Sequence, residues 1–577
     1  MTEWKGIAAS SGYAMGRAFL LQDDKVGIPE RILAEEEIEP ELQRLEETVD
    51  SAVEQLEAIQ ESSRDKLGEE QLEIFSFHIA LLQGSDYVKS MAANIKAEAL
   101  NAEAAVRQAT GKFVEMFENI DNEYMRERAA DFRDVGSRLL KILSGIPDVA
   151  WDESGEKLIL VAHELTPSDT AQLSRDKVSG FVTNVGGKTS HTAIMARSME
   201  IPAVVGLNGI LESVRPGDFV IIDGNEGTVW INPSAESISH YQDKQKQFNV
   251  QQLELRTLID APSVTADGRR IELAANIGNP HDAHHARQIG AEGIGLYRTE
   301  FLYMDREDLP SEEEQFRAYR EVAEAFGMES PIVIRTLDIG GDKELPYLGL
   351  PKEMNPFLGY RAIRICLDRT DIFKVQLRAI LRASVHGNIK LMFPMISTLH
   401  ELRTAKQVLE EAKQELDEAN IPFNRELEVG MMIEIPSSAI IADQLAKEVN
   451  FFSIGTNDLI QYTLAVDRMN ESVSYLYEPF EPAVLRLIHM VVQAAHKEGK
   501  WVGMCGEMAG DLTAIPILVG MGLDELSMSA SSILPARSLI RRSNVQEWQR
   551  MTEKVLQMDT AQEIKAYMGL AFPEIHN

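Results

Sequence analysis

Apolar and polar positions along the chain change rhythm three times. The opening residues, Gly6-Ile7-Ala8-Ala9-Ser10-Ser11-Gly12 through Gly16-Arg17-Ala18-Phe19-Leu20-Leu21, alternate small and apolar side chains and predict strand, turn, strand. From about Ile32 to Leu143 apolar residues recur at heptad-like spacing among dense Glu, Lys and Arg, with few glycines, which predicts a bundle of long helices. Short β-like segments return after Pro147, at Lys157–Ala162, Gly180–Asn184 and Phe219–Gly224. Strand-forming sequence therefore flanks the helical block, which reads as an insertion into an α/β domain. Ser237 to about Asp260 is polar, rich in glutamine and free of glycine and proline, the composition of a linker helix.

Eight short apolar runs follow, at Ile271–Ile277, Gly293–Tyr297, Pro331–Thr336, Ile389–Pro394, Val429–Glu434, Phe451–Gly455, Trp501–Met504 and Glu525–Met528, with amphipathic segments of helix length between most of them. Eight β/α alternations predict a (β/α)8 TIM barrel, a fold that carries its chemistry at the C-terminal ends of the strands. The turn-rich stretch Gly340 to Gly359, after the third run, predicts a long loop over the barrel mouth. The expected architecture is multidomain α/β: an α/β domain at 1–21 and 147–232, a helical insertion at 22–146, a linker helix at 233–262 and a barrel at 263–577.

Composition narrows the partners. A chain of 577 residues is too long for one core. Its formal net charge of -34 disfavours nucleic acid and favours a basic protein partner. Two cysteines, Cys366 and Cys505, make no disulfide framework, and there is no signal peptide and no apolar run long enough to span a bilayer. The expected compartment is the cytoplasm, without membrane insertion. Cys366, on a basic amphipathic segment, reads as a buried structural cysteine.

Two stretches carry candidate chemistry. In Gly186-Gly187-Lys188-Thr189-Ser190-His191-Thr192-Ala193-Ile194-Met195-Ala196-Arg197 the glycines permit a tight turn, Thr189 or Ser190 caps a helix, and His191 falls at the positive end of its dipole, where a phosphate on the ring would be stabilised. On the barrel, the strand ends bring Arg298, Arg335, Asp338, Glu434, Asn457, Asp458 and Cys505 toward one mouth. Arginine forks suit phosphate and carboxylate, and two carboxylates on neighbouring strands suit a hard cation that keeps several waters. A cation pocket beside an anion pocket describes a site for Mg2+ with a small phosphorylated acid.

The His191 segment and the following Ile201-Pro202-Ala203-Val204-Val205-Gly206 resemble the phosphohistidine signature of enzyme I of the bacterial sugar phosphotransferase system, a family related to pyruvate phosphate dikinase and phosphoenolpyruvate synthase. The blocks Gly293 to Leu302, Arg335 to Lys343, Asn355 to Arg361 and Phe452 to Tyr462 through Arg468 resemble its phosphoenolpyruvate-binding blocks. Met469 departs from the small residue expected after Arg468. The resemblance implies that Arg298, Arg335, Arg361, Asn457, Asp458 and Arg468 bind phosphoenolpyruvate. It further implies that Glu434 and Asp458 hold Mg2+ and that Cys505, in Gly503-Met504-Cys505-Gly506-Glu507, protonates the pyruvate enolate. It also implies transfer from His191 to the phosphocarrier protein HPr, which would dock on the acidic helical insertion, and a homodimer through the barrel domain.

On this reading the ring nitrogen of His191 attacks phosphorus in line, and the enolate leaves and is trapped as pyruvate. Thr170 is placed to accept from the other ring nitrogen. The same phosphorus must meet donor and acceptor in turn, so the linker lets the phosphohistidine domain swing. A barrel that makes or breaks a carbon–carbon bond at a pyruvate enolate would leave the His191 domain without work. Dikinase chemistry needs a nucleotide-binding domain for which no length is spare, and a scaffold that only holds partners would need none of the mouth residues.

Overall fold

The computed structural model describes residues 2–21, 30–63, 69–118, 128–145, 157–165, 177–187, 190–199, 201–304, 306, 308–341, 343, 345–350, 353–470 and 472–573. They form two compact units, Met1–Gln251 and Gln252–Asn577.

The first unit is built on a sheet of β1 (Thr2–Lys5), β2 (Ile7–Ser10), β3 (Tyr13–Leu21), β4 (Leu158–Ala162), β5 (Val178–Thr183), β6 (Ala203–Val205), β7 (Phe219–Asp223) and β8 (Thr228–Ile231), in the order β1-β8-β7-β3-β4-β5-β6-β2. The segments expected at 157–162, 180–184 and 219–224 are β4, β5 and β7. The central run from β3 through β6 is parallel and the flanking pairs are antiparallel. Parallel neighbours need a crossover. Between β3 and β4 that crossover is the whole helical insertion, so the block leaves the sheet at Leu21 and returns to the adjacent strand.

The described helices of the insertion, Ile38–Ser63, Glu69–Leu82, Asp86–Glu98, Ala102–Glu118 and Ala129–Leu143, share one core containing Leu45, Leu56, Phe75, Met91, Val106, Phe132 and Leu139. Tyr87, Phe113 and Phe132 meet inside it with ring centroids 5.1–5.3 Å apart. Its acidic first helix is less uniformly solvated than its sequence implies. Glu41 is buried, accepts from the Ala102 N–H at 2.8 Å and pairs with Arg44 at 3.0 Å, so it holds one helix against the start of another. Glu35, Glu36, Glu39, Glu46 and Glu47 remain exposed.

The glutamine-rich segment is the helix Ala235–Arg256, largely exposed but fastened along one face. Tyr241 lies against Trp230 with centroids 4.7 Å apart, Phe248 meets Tyr13 edge-on at 5.9 Å, and Gln245 Nε2 donates to the Tyr13 carbonyl at 2.7 Å. These contacts fall at i, i+4 and i+7 on one face, but only two of the three residues are apolar, so the pattern does not register as amphipathic.

In the second unit the eight apolar runs are β9 (Glu272–Ile277), β10 (Gly293–Arg298), β11 (Pro331–Arg335), β12 (Asn388–Phe393), β13 (Val429–Ile433), β14 (Phe451–Ile454), β15 (Trp501–Met504) and β16 (Glu525–Met528), closed into a parallel barrel by the β16–β9 pair. Leu296, Val333, Met392, Met432 and Phe451 cluster with Cys505 as a separate core, distinct from the larger one formed with the outer helices. This interior plug supports the mouth from below.

Arg537, on the helix Ala530–Arg541, fastens the start of this unit. It is buried and donates to Ser263 Oγ at 3.0 Å and to the carbonyls of Leu258, Ile259 and Gly290 at 3.0, 2.8 and 2.5 Å. Arg537→Met would leave those acceptors dry and unpaired. Urea unfolding of the variant is expected to show the barrel transition destabilised by about 3–5 kcal/mol; an unchanged midpoint would contradict the assignment.

Candidate active site

Because all eight strands run parallel, their C-terminal ends gather at one rim, the barrel mouth. Arg298 and Arg335 end β10 and β11 as direct register partners, two guanidinium groups side by side. Such a pair is repulsive unless anions are supplied. For Arg335 they are. Its Nη2 donates to Glu300 Oε1 at 2.6 Å, and its Nη1 lies 2.8 Å from Asp338 Oδ2. Asp338 in turn accepts from Arg361 Nε and Nη2 at 3.0 and 3.2 Å. Arg361 also donates from Nη1 and Nη2 to the two Asp458 oxygens, both at 3.1 Å. Asp458 takes a further bond from Arg468 Nη1 at 3.2 Å, and Glu300 one from Lys343 Nζ at 2.6 Å. The result is an alternating chain: Lys343, Glu300, Arg335, Asp338, Arg361, Asp458, Arg468. Phe357 lies beneath both Arg361 and Arg468, with their guanidinium carbons 5.6 and 5.7 Å from its ring centre.

Burial makes this pairing compulsory. Glu300, Arg335, Asp338, Arg361 and Asp458 are all buried. Burial alone would push the Asp338 carboxyl up, but Arg361 and Arg335 outweigh it and hold it well below the usual carboxylate range. Glu300 is likewise lowered, its burial overcome by Arg335 and Lys343. Four cations face three carboxylates, and Arg298 adds a fifth cation with no ion pair among the described residues. The mouth is thus locally electropositive in a chain of strongly negative net charge.

Glu434 stands apart from this chain. It follows β13, is buried, and accepts the Met395 N–H at 2.5 Å. Burial, then Asp458 and Asp338, push its carboxyl up to about 8 against the pull of Arg361 and Arg335. A buried acid in that position takes a proton or a cation. Hard divalent ions bind through one or two carboxylates and complete their shell with substrate oxygens and water. Glu434 with Asp458 fits that donor set, although no group of three or more His, Cys, Asp or Glu among the described residues is arranged to hold a metal unaided. Met395 and Ala362, which neighbour this site in sequence or by contact, hold φ of +56° and +53°, conformations a side chain disfavours and that the surrounding packing must enforce.

Cys505 follows β15 on top of the interior plug and is buried. Burial pushes its thiol up to about 11, with Arg335 pulling it back and Glu434 adding to the rise, so it carries its proton at neutral pH. Asn457 turns its side-chain oxygen to the Glu507 N–H at 3.0 Å and so braces the turn that follows Cys505. Cys366 is buried and lies in the outer core, with its thiol raised by burial.

In the first unit, Gly186 at φ +123° makes the turn that leads into the helix His191–Ser198. Ser190 is its N-cap, accepting from the Ala193 N–H at 3.4 Å and donating to the Gly187 carbonyl at 2.8 Å. His191 is therefore the first helical residue, at the end where backbone N–H groups are unspent. Thr189 and Thr170 lie outside the described residues.

Arg335, Arg361, Asp458 and Arg468 come together in one connected network, with Glu434 linked to them electrostatically, Cys505 at the end of β15, and Asn457 in the helix Thr456–Leu464 after β14. Arg298 flanks Arg335, and His191 belongs to the other unit. Sequence reasoning assigned no role to Glu300 and Lys343. Glu300 directly follows Arg298-Thr299, and a carboxylate next to a strand-end arginine is the one signal that could have found it.

Comparison with known proteins was informative over the whole chain. Family models match residues 5–128 (PEP-utilising enzyme, N-terminal), 155–227 (PEP-utilising enzyme, mobile domain) and 252–545 (PEP-utilising enzyme, PEP-binding domain). The phosphoenolpyruvate-protein phosphotransferase of Bacillus subtilis (strain 168) is 53% identical over 99% of this chain and 100% of its own, and that of Geobacillus stearothermophilus is 54% identical over 98% of each. A solution NMR structure titled as Enzyme I (nEIt) is 39% identical, covering 43% of this chain and 99% of its own, with a TM-score of 0.38.

The proton on Glu434 predicts how a cation would enter. The carboxyl must lose that proton to become a ligand, so Mg2+ affinity in the absence of substrate should rise as the pH climbs to about 8 and level off above it, with about one proton released per ion at neutral pH. Titration calorimetry in buffers of differing ionisation heat reads both; an affinity flat from about pH 6 to about pH 8 would contradict the coupling.

Proposed function

The chain belongs to the phosphoenolpyruvate-protein phosphotransferase family, and from that premise we propose that it takes the phosphoryl group of phosphoenolpyruvate onto His191 and passes it to a histidine of the phosphocarrier protein HPr, releasing pyruvate. Transfer from phosphoenolpyruvate to protein is the first step of sugar phosphotransferase transport. The observation that carries the assignment of the site is the alternating chain of guanidinium groups and carboxylates at the barrel mouth, with Arg298, which has no ion pair among the described residues, beside it.

Phosphoenolpyruvate brings a phosphate and a carboxylate, and planar arginine forks bind both. Arg298 and Arg335 at the strand ends, with Arg361, Asn457 and Arg468 from the loops, receive and orient it. Glu434 and Asp458 would hold Mg2+, which supplies charge neutralisation as the enolate oxygen becomes anionic. The neutral ring nitrogen of His191 attacks phosphorus in line; the bond from phosphorus to the enol oxygen breaks and the enolate keeps its electron pair. Cys505 then gives its proton to the enolate carbon and traps it as pyruvate. A thiol raised to about 11 retains that proton until the enolate forms.

His191 at the start of a capped helix supports its role as phosphate carrier, because backbone N–H groups and the helix dipole favour a negative group there. One imidazole must meet the substrate and the carrier in turn, so movement of the α/β domain belongs to turnover. The exposed glutamates of the insertion support docking of a basic surface around the carrier's histidine. Exposed apolar side chains on the loops over the mouth, Met354, Leu358, Met469, Tyr475 and Leu476, support self-association through the barrel domain as a homodimer. No described helix is long and apolar enough to cross a membrane. The substrate and soluble carrier suit the cytoplasm.

Incubation with phosphoenolpyruvate and Mg2+ should leave an acid-labile, base-stable phosphate on His191 and release one pyruvate per site. His191→Ala should abolish the label while leaving phosphoenolpyruvate binding nearly unchanged. Label on another residue, or lost binding in the variant, would overturn the assignment.

A further inference from the structure

The last step of the proposed reaction, proton delivery to the enolate carbon, depends on where the Cys505 thiol points, yet no mouth residue discussed so far holds the Cys505 peptide on the side away from β14. The backbone supplies one fastening, from the Cys505 N–H to the Ile454 carbonyl at 3.1 Å, and the same carbonyl lies 3.9 Å from the thiol. One residue on, the chain presses so closely on β14's following turn that a Cβ added to Gly506 would lie 1.9 Å from Thr456 Oγ1. These contacts hold the β14 side only. On the other side the Cys505 carbonyl accepts from Asn276 Nδ2 at 3.0 Å.

Asn276 is an unusual source for that bond. It sits on β9, which is separated from β15 in the barrel by β16, so its side chain reaches past a whole strand to meet the Cys505 peptide. Its own amide is held by the strand it reaches past: Ser527 Oγ on β16 donates to Asn276 Oδ1 at 2.7 Å. The network admits one arrangement. A carbonyl oxygen only accepts, so Asn276 must turn its NH2 toward Cys505; its oxygen then faces Ser527, whose hydroxyl is free to rotate and must donate. Ser527 is fully buried, so water does not compete for that hydroxyl.

We propose that Asn276, locked by Ser527, is a positioning residue for proton delivery by Cys505. Among the described residues its side-chain hydrogen bonds run to the Cys505 carbonyl and from the Ser527 hydroxyl, and it acts through the cysteine peptide. Proton delivery to carbon demands a near-attack geometry, with the S–H bond directed at the enolate carbon. In that step the S–H bond breaks, the enolate's electron pair forms the new C–H bond, and the thiolate left behind regains a proton from water. Displacement of a reacting group by about 1 Å is enough to cost about 100-fold in such a step. Phosphoryl transfer to His191 makes no use of the thiol, so loss of Asn276 separates two halves of one reaction.

The inference rests on the proposed role of Cys505, and the experiment distinguishes the two. Run in reverse, the same thiolate removes a methyl proton from pyruvate, which NMR follows as deuterium uptake in D2O with the full-length protein, pyruvate and Mg2+. Asn276→Leu keeps the approximate shape and has no donor for the Cys505 carbonyl, and it should slow uptake about 10- to 100-fold. Single-turnover labelling of His191 from phosphoenolpyruvate should change less than about twofold. Ser527→Ala, a smaller change in a buried site, should give the same split by releasing the Asn276 amide. Uptake unchanged in both variants, with Cys505→Ala abolishing it, would overturn the positioning role alone. Uptake that survives Cys505→Ala would overturn the acid assignment and this inference with it. Uptake and labelling falling together in both variants would mean that the pair merely stabilises the barrel rim, and would also overturn the proposal.

Discussion

Charges taken out of water must find partners, and at the barrel mouth that requirement governs everything else. Lys343, Glu300, Arg335, Asp338, Arg361, Asp458 and Arg468 alternate in sign, each interior member bound to the one before and the one after. Removing an interior member would take one partner from each of two neighbours, and a buried ion short of partners costs several kcal/mol. The eight-stranded closure supplies the strand ends that start this chain, and the loops after β11 and β14 supply Arg361 and Arg468 to finish it. A mouth so arranged is already wired for an anion. Phosphate and carboxylate groups can replace the carboxylates as partners of the same guanidinium groups, exchanging one set of charge-assisted bonds for another.

The same electrostatics separates two acids that look alike in sequence. Asp338 lies between two guanidinium groups and stays ionised, whereas Glu434, a strand away and facing other carboxylates, is pushed up toward neutrality. Cys505, buried on the apolar plug, keeps its proton. Ionised carboxylates, a protonated carboxyl and a protonated thiol within a single mouth are the groups on which the proposed binding, cation-holding and acid roles rest.

Much of this was legible before the fold was seen, and the reason is periodicity. Each of the eight barrel runs became a strand because apolar segments of that length between helical segments have one common solution, and strand ends such as Arg298, Arg335 and Glu434 follow from it. The turn and cap before His191 were visible in Gly186 and Ser190. What was hidden depends on the path of loops and on reach across the barrel. Lys343 meets Glu300 only because the loop after β11 doubles back, and Arg361 ends on Asp458 because that loop crosses to the mouth of β14. Asn276 reads as an ordinary polar residue at the end of an apolar run; its partner is more than two hundred positions away. In the largely exposed helix Ala235–Arg256 the contacts of Tyr241, Gln245 and Phe248 were hidden for a related reason, since they form no continuous apolar stripe.

The central claim is that these paired charges are the resting form of a substrate site. Anomalous diffraction from crystals of the chain grown with Mn2+ and phosphoenolpyruvate addresses it directly. The account predicts a manganese peak bounded by Glu434 and Asp458, with the ligand's phosphate and carboxylate on Arg298 and Arg335 and Arg361 drawn off Asp458. A manganese peak or ligand density elsewhere, with every link from Glu300 to Arg468 still intact, would contradict it.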